Sequence, residues 1–277
     1  MLGTAIIVFR EVIEAALIVA IVLGASRGIV GRERWVTGGI LLGLTGAALV
    51  AVFADVINSA FSGNGQALLN AGILLAAVGM LAWHNIWMSS HGRTLAAEVR
   101  EVGEAVQSGR RPLTALMVIT LVAVMREGSE VVLFLWAFAT GGESGMAMLA
   151  GGLLGLLAGA LVGVLMYQGL LRIPLRHFFS VTGWLVLLIA AGLAAQAASF
   201  LNQAGLLPAL GNSLWDTSGI LDQGSLTGQM LHVLVGYTAR PSGIQLLFYG
   251  VTLMTVFTLM QWVGHRHHGA KADTRSG

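Results

Sequence analysis

Two pentapeptides hold most of the chemistry available to this chain. Arg10-Glu11-Val12-Ile13-Glu14 and Arg126-Glu127-Gly128-Ser129-Glu130 each place two glutamates three residues apart, with an arginine four residues before the second. On a helix, positions i, i+3 and i+4 share a face. Each motif therefore presents two carboxylates together, and Arg10 and Arg126 can each pair with the distal glutamate. A structural ion pair bolting helices together would use one arginine and one glutamate per motif, leaving a second glutamate over. Four acids against two bases carry a formal charge of −2 if all are ionised, which an apolar environment tolerates only when protons or a bound cation neutralise it. Carboxylate oxygens without thiolate partners form a hard-ligand site, suited to calcium, magnesium, manganese or iron. The chain has no cysteine, which excludes disulfides, iron–sulfur clusters and thiolate zinc sites. The Glu-x-x-His pairs of di-iron bundles and the His-Glu-x-x-His of zinc proteases are also absent. The motifs read as a cation pathway, and the chain as a transporter without a resident cofactor, not an enzyme.

The elements that must position these motifs are membrane helices. Of 277 residues, 56% are hydrophobic and 10% charged, with a mean hydropathy of +0.82; a soluble domain carries about 25% charged residues. That excludes a soluble enzyme and a disordered chain, and leaves no basic surface for nucleic acid. Seven apolar runs approach the roughly 20 residues a bilayer-spanning helix needs: 3–24, 36–57, 67–88, 113–139, 146–167, 178–201 and 244–263. Strands with open edges cannot satisfy their backbone in lipid, so all seven are expected to be helices. The first run contains Arg10, Glu11 and Glu14 and has no basic leader, so it is expected to remain in the mature protein and not to be a signal peptide.

Basic residues then set the orientation. Twelve of the fifteen fall in alternate connections and the C-terminal tail, among them Arg27, Arg32, Arg93, Arg110, Arg172 and Lys271, against Arg240 alone on the opposite side. The N-terminus is expected outside and the C-terminus inside. Asp55, Glu143, Asp216 and Asp222 then leave the outer face relatively acidic, as the same bias would by itself.

The motifs recur at an offset of 116 residues, and Gly38-Gly39-Ile40-Leu41 resembles Gly151-Gly152-Leu153-Leu154 at an offset of 113. Three spans separate the copies, so the first and fourth helices run antiparallel. The expected architecture is an all-α integral membrane protein with a 3+3 inverted repeat plus a seventh helix, a class that places its substrate site near the midplane where the halves meet. One transmembrane domain covers 1–263, with repeat A over 1–90, repeat B over 113–201, an outer loop over 202–243 and the seventh helix over 244–263; a cytoplasmic tail follows over 264–277. Glycines every fourth residue at Gly151, Gly155, Gly159 and Gly163, and at Gly39 and Gly43, are read as packing faces.

Paired R-E-x-x-E motifs in the first and fourth of seven spans resemble the R-E-G-L-E motifs of the oxidase-dependent iron permease family. The second copy is close, and the first keeps every charged position while Val12 and Ile13 replace Gly and Leu. The resemblance extends to Trp215-Asp216-Thr217-Ser218, Leu231-His232, Val235-Gly236-Tyr237 and Arg240-Pro241-Ser242-Gly243, and so covers nearly the whole chain. It implies that Glu11, Glu14, Glu127 and Glu130 bind iron, that iron is imported across the cytoplasmic (inner) membrane, and that an external iron-oxidising or iron-delivering protein is a partner. By residue chemistry alone, two alternatives stay open: a transporter of another hard divalent metal such as manganese, or a non-transporting scaffold or sensor with structural Glu–Arg clusters.

His84 and Asn85 in the third span and Gln196 in the sixth fit either a pathway role or interhelical hydrogen bonds. Asp55, Asp216, Asp222 and His232 are further pathway candidates at the outer mouth; a solvated helix end accounts better for Asp55, and an ordered lid with ordinary polar residues for each of the others. The segment Ser225–Tyr237 is apolar enough to lie on or dip into the membrane, and the inner segment Ser89–Pro112 reads as a short surface helix. The eleven methionines read as core filler, and His265, His267 and His268 as solvated tail residues.

Overall fold

The computed structural model describes residues 1–60, 65–169 and 175–273, with side chains described except at 55–60, 87–96, 175–180, 226, 233 and 263–273. These residues form eight helices and no strand: α1 Leu2–Ala25, α2 Arg32–Ala60, α3 Gln66–Gln107, α4 Thr114–Thr140, α5 Gly145–Tyr167, α6 Leu175–Gln203, α7 Leu226–Val235 and α8 Gly243–Asp273. Stretches of 20 to 23 residues in α2, α3, α5, α6 and α8 are long and apolar enough to cross a membrane. Their outward faces are exposed apolar side chains, such as Leu49 and Phe53 on α2, Leu157 and Leu161 on α5, and Val251 and Met254 on α8. Such faces suit lipid, and the chain is a multi-pass membrane protein. Helices α1 and α4 have 24 and 27 residues, about 36–40 Å at 1.5 Å per residue. They differ in concentrating three charges within five residues, all buried except Arg126, which is partly exposed.

Packing follows the repeat. α1 lies on α5 and α2 on α4, so the first helix of each half packs on the second helix of the other. Register is set by glycines. A Cβ at Gly155 would lie 2.5 Å from the Ala5 carbonyl oxygen and one at Gly159 2.8 Å from Val12; in the other pair, a Cβ at Gly39 would meet Met117 and Thr120, and one at Gly43 Val124 at 2.8 Å. Contact positions rise together along both pairs, so each pair is parallel. Six residues between α1 and α2 span at most about 25 Å, too short to let those two helices run parallel. α1 and α4 are therefore antiparallel. Replacing Gly155 by leucine should push α5 off α1 and cost about 1–3 kcal/mol, as overpacking of tight interfaces does. Thermal unfolding of the detergent-solubilised protein checks this, with Gly152→Leu as the control because a Cβ there meets nothing.

The third helices break the pseudo-symmetry. α3 packs against α1, α4, α6 and α8, whereas α6 meets α1 only along a short stretch. Only α3 can insert a side chain between the two motif helices. One expectation is also corrected. The segment 89–107 is not a separate surface helix but the continuation of α3, whose Val99 and Val106 are buried in a core cluster with Ile18, Val22 and Leu116. The tail is helical as far as Asp273. Both stretches contain glycine but no proline, so the helix continues through them.

Candidate functional site

The two motifs meet face to face. Arg10, Glu11 and Glu14 have side chains no more than 2% exposed, and Glu127 and Glu130 are buried as well. Within α1, Arg10 Nε lies 3.0 Å from Glu14 Oε1, and its Nη1 lies 3.4 Å from Glu11 Oε1. Within α4, Arg126 Nε lies 3.3 Å from Glu130 Oε1 and 3.9 Å from Glu127 Oε1. Both i,i+4 pairs expected from the spacing are present, and in each helix the proximal glutamate is the less tightly paired. These proximal residues, Glu11 and Glu127, each keep a buried carboxylate oxygen without a hydrogen-bond partner, Oε2 in both. Two such oxygens brought together from the two halves can be satisfied by a proton or a cation.

The residue that completes the cluster is His84, which comes from α3. Its Nε2 lies 3.1 Å from Glu14 Oε2 and its Nδ1 2.6 Å from Glu130 Oε2, so one imidazole ties together the distal glutamates of both halves. Both ring nitrogens face carboxylate oxygens; either both carry protons or a carboxyl supplies one. Glu11, His84, Glu127 and Glu130 each offer a ligand atom, and all four atoms lie within 4.8 Å of one another. Glu14, also expected as a ligand, adjoins this group, paired with Arg10 at 3.0 Å and His84 at 3.1 Å.

Apolar layers seal the cluster at both ends. One turn from the motifs on one side, Ile7 of α1, Phe134 of α4 and Leu81 of α3 belong to a single buried cluster. On the other side, Ile18 and Val22 of α1, with Ala123 and Leu116 of α4, form a second. Beyond the first layer lies a cavity of about 710 Å³ between the N-terminal end of α1, the C-terminal end of α4, α6 and α7; beyond the second lies one of about 640 Å³ bordered by Arg27, Arg100, Glu101 and Glu104. The glutamate cluster thus lies between two apolar layers, with a cavity beyond each.

The other candidates divide. Asn85 donates to the Gly183 carbonyl at 3.0 Å and Gln196 to the Gly141 carbonyl at 2.7 Å, both interhelical hydrogen bonds. Asp216 accepts from the Ser218 hydroxyl and backbone N–H and pairs with Arg240 at 2.9 Å. Those hydrogen bonds, with the Arg240 charge, hold its carboxyl below the usual aspartate range. It staples the loop and does not line the cavity; nor does exposed Asp222. His232 does line it. The side chain of Asp55 lies outside the described residues. Sequence reasoning missed Thr4 and Thr120, both fully buried, which repeat at the motif offset of 116 residues and face Gly151 and Gly39. Extending the repeat comparison one helical turn upstream, through Val8 and Val124, would have found them.

Comparison with known proteins finds relatives over most of the chain. The profile of the iron permease FTR1 family matches residues 1–264. The ferrous iron permease EfeU of Yersinia pestis is 31% identical over 259 residues, covering 92% of this chain and 91% of its own length. Its namesake from Escherichia coli O6:K15:H31 is 32% identical over 241 residues, covering 86% and 87%. No solved structure matches. The chain belongs to the iron permease FTR1 family.

Proposed function

We propose that this protein imports ferrous iron across the cytoplasmic membrane, and that Glu11, His84, Glu127 and Glu130 form the site through which iron passes, with Arg10, Arg126 and Glu14 holding it in shape. The observation that carries the reading is the group of three carboxylates and one imidazole drawn from three helices within 4.8 Å and sealed at both ends. Carboxylate alone favours magnesium, calcium and manganese, whereas imidazole suits iron, zinc, copper and nickel. The mixed set favours iron over the hard divalent metals that the glutamates alone would admit. It also supports transport over a scaffold role, because a scaffold has no need of a net-negative buried cluster.

Seven helices, α1 to α6 and α8, cross the membrane in this reading, with the N-terminus outside. The cavity beside Glu143 and His232 then opens outward, where an iron-oxidising or iron-delivering partner would release its cargo, and the cavity beside Arg100 opens inward. With the site near the midplane, relative rocking of the two inverted halves would open the apolar layers in alternation. Radiolabelled ferrous iron uptake into proteoliposomes tests the reading. Saturable uptake is expected, with excess manganese competing weakly. Equal transport of manganese and iron would reassign the substrate, and no metal flux would end the permease reading.

A further inference from the structure

We propose a second metal site in the cavity at the N-terminal end of α1, a receiving site for a divalent transition-metal ion formed by the Glu143 carboxylate and His232 Nε2. Both residues line the same cavity of about 710 Å³, separated from the glutamate cluster by the layer containing Phe138, Ile189 and Leu193.

Two independent features prepare these groups for a cation. The Glu143 side chain is 6% exposed. Its Oε2 accepts from the Thr4 hydroxyl at 2.8 Å, while Oε1 is ion-paired with the Met1 ammonium group. A buried carboxylate aligned by a hydroxyl, with its second oxygen already where positive charge is stabilised, is a cation ligand that an incoming divalent ion can claim from a monovalent amine. On the lining of the same cavity, His232 Nδ1 lies 2.7 Å from the Tyr237 carbonyl oxygen and 3.4 Å from Gln223 Nε2. A carbonyl only accepts, so in the shorter contact Nδ1 donates, and the tautomer with its single proton there has its lone pair on Nε2. Metal-ligating histidines are held this way, with the far nitrogen donating to a backbone carbonyl.

The chain fixes that arrangement locally. Ser225 caps α7, its Oγ accepting from the Gly228 N–H at 3.0 Å. Gly236 ends the helix at φ 70°, where its Cα comes so close to Gly192 of α6 that a Cβ on Gly192 would lie 2.8 Å away. This contact presents the Tyr237 carbonyl to His232. The cavity has room for a partly hydrated ion, and Gln223 and Gln229 on its wall can hydrogen-bond the waters that remain. A weak site of two protein ligands suits an ion that must be captured and then passed on.

The inference takes the metal to be the permease substrate, so the tests separate the two claims. In proteoliposomes, Glu143→Gln and His232→Asn should each raise the KM for ferrous iron roughly tenfold, within the loss expected when one partner of a metal site is removed, while the maximal rate stays within about twofold. The asparagine side chain of His232→Asn retains a donor for the Tyr237 carbonyl, so this variant is readable even if Glu143→Gln fails to fold. Manganese binding followed by electron paramagnetic resonance is the second arm. Glu127→Gln protein should still bind one Mn²⁺, and Glu127→Gln/His232→Asn should bind none. An unchanged KM in folded His232→Asn, or no Mn²⁺ on the Glu127→Gln protein, overturns the receiving site. Mn²⁺ binding that depends on Glu143 and His232 in a protein with no iron flux supports the site and retires the permease reading.

Discussion

Glu127→Gln is expected to abolish iron uptake while leaving a folded, membrane-inserted protein. The cluster holds four carboxylates against Arg10, Arg126 and His84, a net charge of −1 even with both imidazole nitrogens protonated, which a proton or a cation must balance. Glutamine has the same shape and removes one negative charge, bringing the cluster to neutrality without a cation. Its amide adds donors beside the unpartnered Glu11 oxygen, so packing persists and folding should be preserved or slightly improved. Removing even an outer partner of a metal ligand costs about 10- to 100-fold in affinity, and loss of a ligand from the sealed centre should exceed that. Proteoliposome uptake of radiolabelled ferrous iron measures the loss, with size-exclusion profile and melting temperature reporting on the fold. Uptake at the wild-type rate would remove Glu127 from the pathway.

The sequence reveals the two motif helices more readily than anything else because charge is so scarce. Three ionisable residues in five, twice over, within otherwise apolar runs can be reconciled with lipid only by facing one another. The i,i+4 spacing then gives the Arg10–Glu14 and Arg126–Glu130 pairs that the structure contains. Helix ends at Ala25, Thr140 and Tyr167 fall within about two residues of the apolar boundaries, since turn chemistry follows each one. His84 could not be placed in the same way. A lone histidine in a span bonds a neighbouring helix as readily as it binds a metal, and what separates the two outcomes is whether α3 or α6 enters the groove between α1 and α4. The weak match between the third helices of the repeats signals that they differ; only three-dimensional packing shows that α3 takes the central position. Asp216 shows the converse. Its acidity and outer-loop position suggest a cation guide, but Ser218 two residues on and Arg240 across the loop already use its oxygens.

The two arginines occupy equivalent positions in the repeat, yet their removal should not be equivalent. Arg10 is 2% exposed and serves two carboxylates, at 3.0 and 3.4 Å. Arg126 is 37% exposed, and its contact with the proximal glutamate stretches to 3.9 Å. Breaking a buried ion pair by deleting one partner costs about 3–5 kcal/mol, because the remaining charge is left uncompensated. Arg10→Gln should therefore unfold much of the population or block its accumulation in the membrane. Arg126→Gln leaves Glu130 with His84 at 2.6 Å, and its cost should fall near the roughly 1 kcal/mol of a partly exposed pair. Melting temperatures and membrane yields of the two variants measure the difference, and an equal or larger loss for Arg126→Gln would contradict it. The origin of the loss is open to the same test. If uncompensated charge is responsible, adding Glu14→Gln to Arg10→Gln should recover much of the stability, since the orphaned carboxylate disappears and the glutamine amide that replaces it can still hydrogen-bond to His84. If the loss came instead from the space vacated by the guanidinium, the second substitution would leave the melting temperature where the first put it.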